Sequence, residues 1–194
     1  MIPTKEFLAF ARRSLQCHDA ATSASCDVIA HLAVDFGRYL GLDKDTLKDL
    51  FLAGYLRDIG YLAIPGDVLK RARRLTEAEV MLIAQHPVHG EWLCQSVAGL
   101  SSVLPYIRSH HEKLNGEGYP DGLRREGFPL NIQYFQIVDI YIALTSKRPY
   151  RTNLSRESAL VTLKKEVEKG WRSPEVVGSF LAFAQKRTLP VVDS

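Results

Sequence analysis

The stretch His110–Leu123 reads HHEKLNGEGYPDGL and sets two adjacent imidazoles against a glycine-rich turn. Two of the chain's six histidines stand side by side here. Imidazoles bind metals or phosphate groups, and a Gly-Tyr-Pro turn can hold a planar ligand. Packing alone gives little reason to place such a pair beside a polar loop. Gly and Pro recur so often from 112 to 130 that this segment must be a loop. One helix therefore ends at His110 or His111, and another starts near Asn131.

Outward from that loop, helical periodicity dominates. On the N-terminal side, Thr76 and Glu79 stand at capping-box spacing, ahead of a helix that meets Pro87 just after His86. Leu47, Leu50, Phe51 and Gly54 lie on a helix that runs towards Asp58, and the pattern breaks from Gly60 to Pro65. Ile29, Leu32, Ala33, Phe36 and Leu40 form one stripe, stopped by Gly41. Residues from about Thr4 to Gln16 carry a short amphipathic pattern with Phe7, Leu8, Phe10 and Ala11. On the C-terminal side, Asn131–Thr145 is a strongly apolar helix. Ser173-Pro174 reads as a helix start, the serine as side-chain cap and the proline preset for the first turn. There is no alternating strand pattern, internal repeat or low-complexity tract. The expected fold class is all-α.

A length of 194 residues suits a single domain, 1–194. At 46% hydrophobic and 24% charged, the chain can bury a full core. A net charge of +3 is too mild to predict nucleic-acid binding and is compatible with a small anionic ligand. Cys17, Cys26 and Cys94 are odd in number and never at CxxC spacing, which reads as reduced thiols in a cytoplasmic protein. No apolar run is long enough to span a bilayer and no signal peptide is evident, so no membrane association is expected. Structured-looking sequence begins almost at once, as it would in a domain of a larger protein.

The polar residues that interrupt the apolar pattern are Arg57-Asp58, His86, His110-His111 and Asp139. Asp139 lies inside the apolar run Phe135–Leu144, where an unpaired carboxylate is costly to bury. Imidazoles and carboxylates suit divalent iron, manganese or zinc, and inward-pointing ligands from several helices are how bundles build metal sites. The same residues admit plainer readings. A histidine pair at a helix end can offset the helix dipole, and His86 can be an ordinary residue before a proline. Asp139 can be a structural ion-pair partner of Arg57, and Tyr119 a core aromatic. Arg71, Arg73 and Arg74 fit a solvated linker, or a patch that attracts a nucleotide. His18, His31 and His89 read as surface or helix-face residues.

Four segments together carry a resemblance: RDIGYLAIPGDVL from Arg57, LTEAEVMLIAQHPVHG from Leu75, HHEKLNGEGYPDGL from His110 and VDIYIALTSKRPYR from Val138. The chain resembles an HD-GYP domain, a bacterial branch of the HD metal-dependent phosphohydrolases, over roughly Ser25 to Arg151. The resemblance implies an all-helical bundle with a GYP-containing loop, residues 152–194 adding C-terminal helices. It implies a substrate, cyclic di-GMP, hydrolysed at a two- or three-metal site in active members. It implies metal ligands at Asp58, His86, His110, His111 and Asp139, with Asp58 the strongest catalytic candidate. Gly118, Tyr119 and Pro120 would line the nucleotide site, and Arg148 and Arg151 would hold its phosphates. A protein partner at the GYP surface, such as a diguanylate cyclase domain, is also implied.

Three positions depart from the family pattern. Arg57 stands where the family has the histidine of HD, Tyr61 where it has a lysine, and Ser25 where it has an early-helix histidine. His31 lies six residues out of register with that last position. A guanidinium has no lone pair for a metal, so one metal position loses both of its histidines. A second, from Asp58, His86 and His110, is expected to survive, leaving fewer ions than in active members, or none. The two-metal clamp on attacking and leaving oxygens is then absent. Arg57 is expected to replace the lost cation and to pair with Asp58 or Asp139. Two functions follow. One is a non-catalytic or weakly active cyclic di-GMP-related signalling module. The other is an active phosphodiesterase with a reduced site, in which a metal-bound water attacks phosphorus and Arg148 steadies the phosphates.

Overall fold

Several helices begin where a short polar side chain meets free backbone amides. Asp19 caps α2 (Ala20–Tyr39) by accepting from the N–H groups of Ala21 and Thr22, and Asp43 caps α3 (Lys44–Leu56) through Asp45 and Thr46. Ser155 opens α9 (Arg156–Glu168) in the same way. The structure is a computed structural model and describes residues 4–69, 73–124, 128–146 and 153–190. The remaining helices are α1 (Thr4–His18), α4 (Gly66–Leu69), α5 (Glu77–Ile83), α6 (His86–Cys94), α7 (Leu104–Ser109), α8 (Leu130–Thr145) and α10 (Pro174–Gln185), with a 3-10 turn at Ile59–Ala63. Among the described residues there is no strand, only an isolated antiparallel bridge between Asn115 and Arg124 inside the loop. The fold is all-α.

Two local expectations change. The Thr76–Glu79 capping box forms, but its helix stops at Ile83 and a new one starts at His86. Pro87 has no N–H with which to bond the Ile83 carbonyl and continue the earlier helix, whereas its ring fits a first turn. His86 therefore opens a helix instead of riding inside one. At α10 the start at Pro174 is as expected, but the Ser173 side chain makes no capping bond, and the proline ring alone presets the first turn.

Helix α8 is the axis of the bundle. Phe135, Ile137, Val138, Tyr141 and Ile142 are fully buried, and apolar residues run round the whole helix, as a central helix requires. Helices α2 and α3 pack on one side through Ile29, Ala33, Phe36, Leu50 and Leu56. The C-terminal pair α9–α10 also packs on α8, and Phe180 of α10 meets the Phe36 ring of α2 edge-on at 5.2 Å. Removing a ring such as Phe135 from this core would cost ~3–5 kcal/mol. The polar residues of interest collect at one end, where α3, α6, α7 and α8 all deliver a side chain inward. No helix among the described residues is long and apolar enough to cross a membrane.

Candidate metal centre and its loop

Arg57 caps the C-terminus of α3, and its buried guanidinium reaches across to α8. Nε donates to Asp139 Oδ1 at 2.7 Å, and Nη2 lies 2.8 Å from Asp58 Oδ2. Nη1 donates to the Gly54 carbonyl at 2.9 Å and Nη2 to Ser25 Oγ at 3.2 Å. One cation thus joins both carboxylates, and the hydroxyl of a second departing position, Ser25, helps hold it. Burial works against the charge on Arg57, but Asp58 and Asp139 outweigh it and raise its pKa further.

The histidines at 86 and 110 are each oriented by a backbone carbonyl three residues earlier. His86 Nδ1 faces the Ile83 carbonyl at 2.8 Å, and His110 Nδ1 faces the Ile107 carbonyl at 2.7 Å. A carbonyl oxygen only accepts, so both Nδ1 atoms carry the proton and both Nε2 atoms present lone pairs. Those two Nε2 atoms are 3.0 Å apart, with Asp58 Oδ1 at 3.5 Å from one and 3.8 Å from the other. A proton between the rings would relieve the facing lone pairs, but burial holds both pKa values below the ordinary 6.5, that of His110 well below. A divalent cation relieves them directly. His111 completes a three-histidine group whose donor atoms all lie within 4.8 Å of one another. This donor set, three imidazoles beside a carboxylate, fits one borderline divalent ion.

Close backbone contact fixes the group. A Cβ on Gly60 would fall 1.9 Å from the His86 carbonyl oxygen, so only glycine lets the 3-10 turn after Asp58 touch the start of α6. Aromatic rings flank the imidazoles on both sides. Tyr61 lies over His86 at 4.3 Å, and Tyr119 stacks on His111 at 4.8 Å. Tyr61 therefore occupies its position with a ring against a histidine, where a lysine would bring a charge.

Behind the histidine pair runs a polar network absent from the sequence reading. Glu112 is fully buried; its carboxylate accepts from the N–H groups of Asp121, Gly122 and Leu123. Gln136, one turn before Asp139 on α8, donates to the carbonyls of Ser109 and Glu112, which bracket His110-His111. Arg172, between α9 and α10, donates to the Glu112 carbonyl and to Gln136 Oε1, and pairs with Glu166. The adjacency of Glu112 to the histidine pair was a usable signal for its role. Nothing local in the sequence marks Arg172 or Gln136.

The structure thus gathers Asp58, His86, His110, His111, Asp139, Gly118, Tyr119 and Pro120 at one end of the bundle. Asp139 turns towards Arg57, and the other metal candidates turn towards one another. Arg148, Arg151 and Arg71 lie outside the described residues. Arg73 pairs with Glu79 at the start of α5, away from the histidines.

The HD domain family model matches residues 6–176. The chain belongs to the HD domain family. Among HD domains it is of the HD-GYP kind, with Gly118-Tyr119-Pro120 as the signature. It is 34% identical over 142 residues to 3'3'-cGAMP-specific phosphodiesterase 1 of Vibrio cholerae serotype O1, covering 73% of this chain and 33% of that protein. It is 35% identical over 161 residues to the cyclic di-GMP phosphodiesterase response regulator RpfG of Xanthomonas campestris pv. campestris, covering 82% and 43%. To the cyclic di-GMP phosphodiesterase PA4108 of Pseudomonas aeruginosa it is 31% identical over 166 residues, covering 84% and 36%. The HD domain described here thus spans between a third and a half of the length of these relatives. The solved structure of Bd1817, an HDG"Y"P protein from Bdellovibrio bacteriovorus, shares the fold with a TM-score of 0.67 at 16% identity, over 92% of this chain and 60% of that one.

Proposed function

We propose that this chain, taken whole as residues 1–194, is a cyclic di-GMP-related signalling module that binds a cyclic dinucleotide and has little or no hydrolytic activity. One observation carries the reading: the Arg57 guanidinium bonds Asp58 and Asp139 together, 2.8 and 2.7 Å from them. These are the carboxylates that the HD-GYP resemblance assigns to metals. A charge of fixed sign in that position neutralises the carboxylates, but it makes no hydroxide from water.

Binding remains chemically well supplied. Tyr119, stacked on His111, offers a face to a base, and the loop Gly118–Pro120 borders the histidines. Arg148 and Arg151 are proposed to hold the ligand's phosphates. Phosphodiesterases for cyclic di-GMP and for 3'3'-cGAMP are both among the relatives, so a cyclic dinucleotide is the ligand class. The GYP surface is the proposed face for a protein partner such as a diguanylate cyclase domain.

His86, His110 and Asp58, with His111 beside them, would hold a single divalent ion, iron or manganese being the candidates. When bound, such an ion would supply Lewis acidity towards a phosphoryl oxygen. That donor set favours the second reading, a phosphodiesterase working slowly with a reduced site, in which Asp58 orients the attacking water. The deciding experiment is calorimetric titration of the protein with cyclic di-GMP and with 3'3'-cGAMP, with and without manganese, followed by chromatography of the nucleotide. Binding without a linear product supports the module. Steady turnover with manganese replaces it by the slow enzyme, and no binding under any condition overturns both nucleotide readings.

A further inference from the structure

We propose that Glu112 is the positioning residue of the GYP loop: its buried carboxylate fixes the Gly118–Leu123 turn over the His110–His111 pair and so sets where Tyr119 stands. Only the consequence for nucleotide affinity rests on the function proposed above.

The geometry converges on this side chain from both ends. Glu112 Oε1 accepts from Asp121 N–H at 2.6 Å and Gly122 N–H at 3.1 Å, and Oε2 accepts from Leu123 N–H at 3.0 Å. These three amides follow Pro120 directly, so the carboxylate grips the loop just past its signature. The main chain that carries this side chain is anchored too, because the Glu112 carbonyl is held by Arg172 at 2.8 Å and Gln136 at 3.0 Å. On the other side of the turn, a Cβ on Gly118 would sit 2.4 Å from Glu112 Cα and 2.3 Å from Lys113 N. The glycine of the signature is therefore demanded by the main chain of Glu112. Between these two attachments, Tyr119 N–H reaches the His111 carbonyl at 3.4 Å and its ring lies on the His111 imidazole. A second attachment, Arg108 to Asp121 through two bonds of 2.6 and 2.8 Å, is exposed and therefore weaker.

The chemistry at Glu112 is specific to a carboxylate. An ionised carboxylate accepts on both oxygens, and hydrogen bonds to a charged acceptor are roughly twice as strong as neutral ones. A glutamine there keeps a single accepting oxygen and turns an NH2 group towards the third amide. Its shape is nearly unchanged, so the variant isolates the grip from the packing.

The test is amide hydrogen exchange on the full chain, wild type beside Glu112→Gln and Gly118→Ala, with manganese and cyclic di-GMP affinities measured on the same proteins. In the wild type the amides of Asp121, Gly122 and Leu123 are expected to be protected. In either variant they should exchange about tenfold faster or more, while the amides of α8 keep their rates. Nucleotide Kd should rise about tenfold, equivalent to ~1.4 kcal/mol, with manganese Kd unchanged within about twofold. Unprotected 121–123 amides in the wild type would overturn the proposal, as would unchanged rates in Glu112→Gln. A Glu112→Gln protein with weakened manganese binding and faster exchange throughout α8 would assign Glu112 a structural role only and also overturn it. If Glu112→Gln does not fold, wild-type protection and Gly118→Ala decide. A wild type that binds no cyclic dinucleotide removes the proposed function and leaves the exchange comparison to decide on Glu112.

Discussion

Arg57 Nε and Asp139 Oδ1 lie 2.7 Å apart in the interior, joining residues 82 positions apart in sequence, and the same guanidinium binds Asp58. A buried cation shared by two carboxylates is not a source of large net stability, because all three charges leave water. Its loss is another matter, since it takes the shared cation from two carboxylates that are nearly buried.

Arg57→Met should therefore destabilise the protein by ~3–5 kcal/mol. Urea unfolding measures this as a lower midpoint with an unchanged slope. A cost under ~1 kcal/mol would mean that water reaches Asp58 and Asp139 and that the buried-pair account is wrong.

The double variant Ser25→His/Arg57→His should take up more divalent metal than the wild type, because it returns two imidazoles to the departing positions and frees Asp58 and Asp139 for coordination. Elemental analysis after dialysis against manganese gives the answer. The wild type is expected to hold no more than a single ion and to lose it in His86→Ala or His110→Ala. A wild type that already carries a multi-metal cluster contradicts the Arg57 reading.

Acid should weaken the chelator-treated protein, starting near the ordinary histidine pKa. Burial lowers the pKa values of His86, His110 and His111 in the folded state. Below about 6.5 the unfolded chain then binds protons that the folded protein refuses, and stability falls with pH. Above that value both states are neutral and the contribution is flat. The slope has an upper bound of ~1.4 kcal/mol per pH unit for each group. Denaturation midpoints across that range test it; a midpoint that rises on mild acidification would show that the cluster is stabilised by a proton.

The thiols should separate into fast and silent classes. Cys17 is exposed, whereas Cys26 and Cys94 are buried. Burial pushes the Cys26 thiol up to about 11, against the nearby Arg57 charge, and Cys94 up to about 12. A disulfide reagent at mildly alkaline pH should titrate Cys17 alone, with the other two appearing in denaturant. Rapid native labelling of Cys26 would show that the Arg57 pocket opens.

Arg172→Met should cost about 3 kcal/mol, since the change strands the buried Gln136 Oε1 and takes the cation from Glu166, leaving the Glu112 carbonyl to Gln136 alone. Melting temperature and amide exchange at Ser109–Glu112 measure it. An unperturbed segment would mean that α9–α10 does not help to hold the histidine pair.

Local spacing made the helices and the histidine-bearing loop legible in advance. His110 and His111 precede a glycine-rich segment that only a loop can accommodate, and Asp139 interrupts an apolar helix that has to be buried. The pairing of Arg57 with Asp58 or Asp139 followed from its place in the HD-GYP pattern, where a cation-binding histidine is replaced by a cation. What stayed hidden was set by distance along the chain. Arg172 meets the Glu112 carbonyl across 60 residues, and no local pattern announces that choice. The break between α5 and α6 was missed because the apolar residues continue smoothly through Ile83 while Pro87 alone carries the signal. The capping role given to Ser173 failed for a related reason: a proline that presets the turn leaves the hydroxyl nothing it must do.

The guanidinium at Arg57 is made with the polypeptide and is never exchanged. Iron or manganese scarcity empties an ordinary metal pocket, and abundance refills it, so a protein relying on such ions reports nutrition as well as its own signal. Here the charges of Asp58 and Asp139 are balanced from within the chain, in starved and replete cells alike.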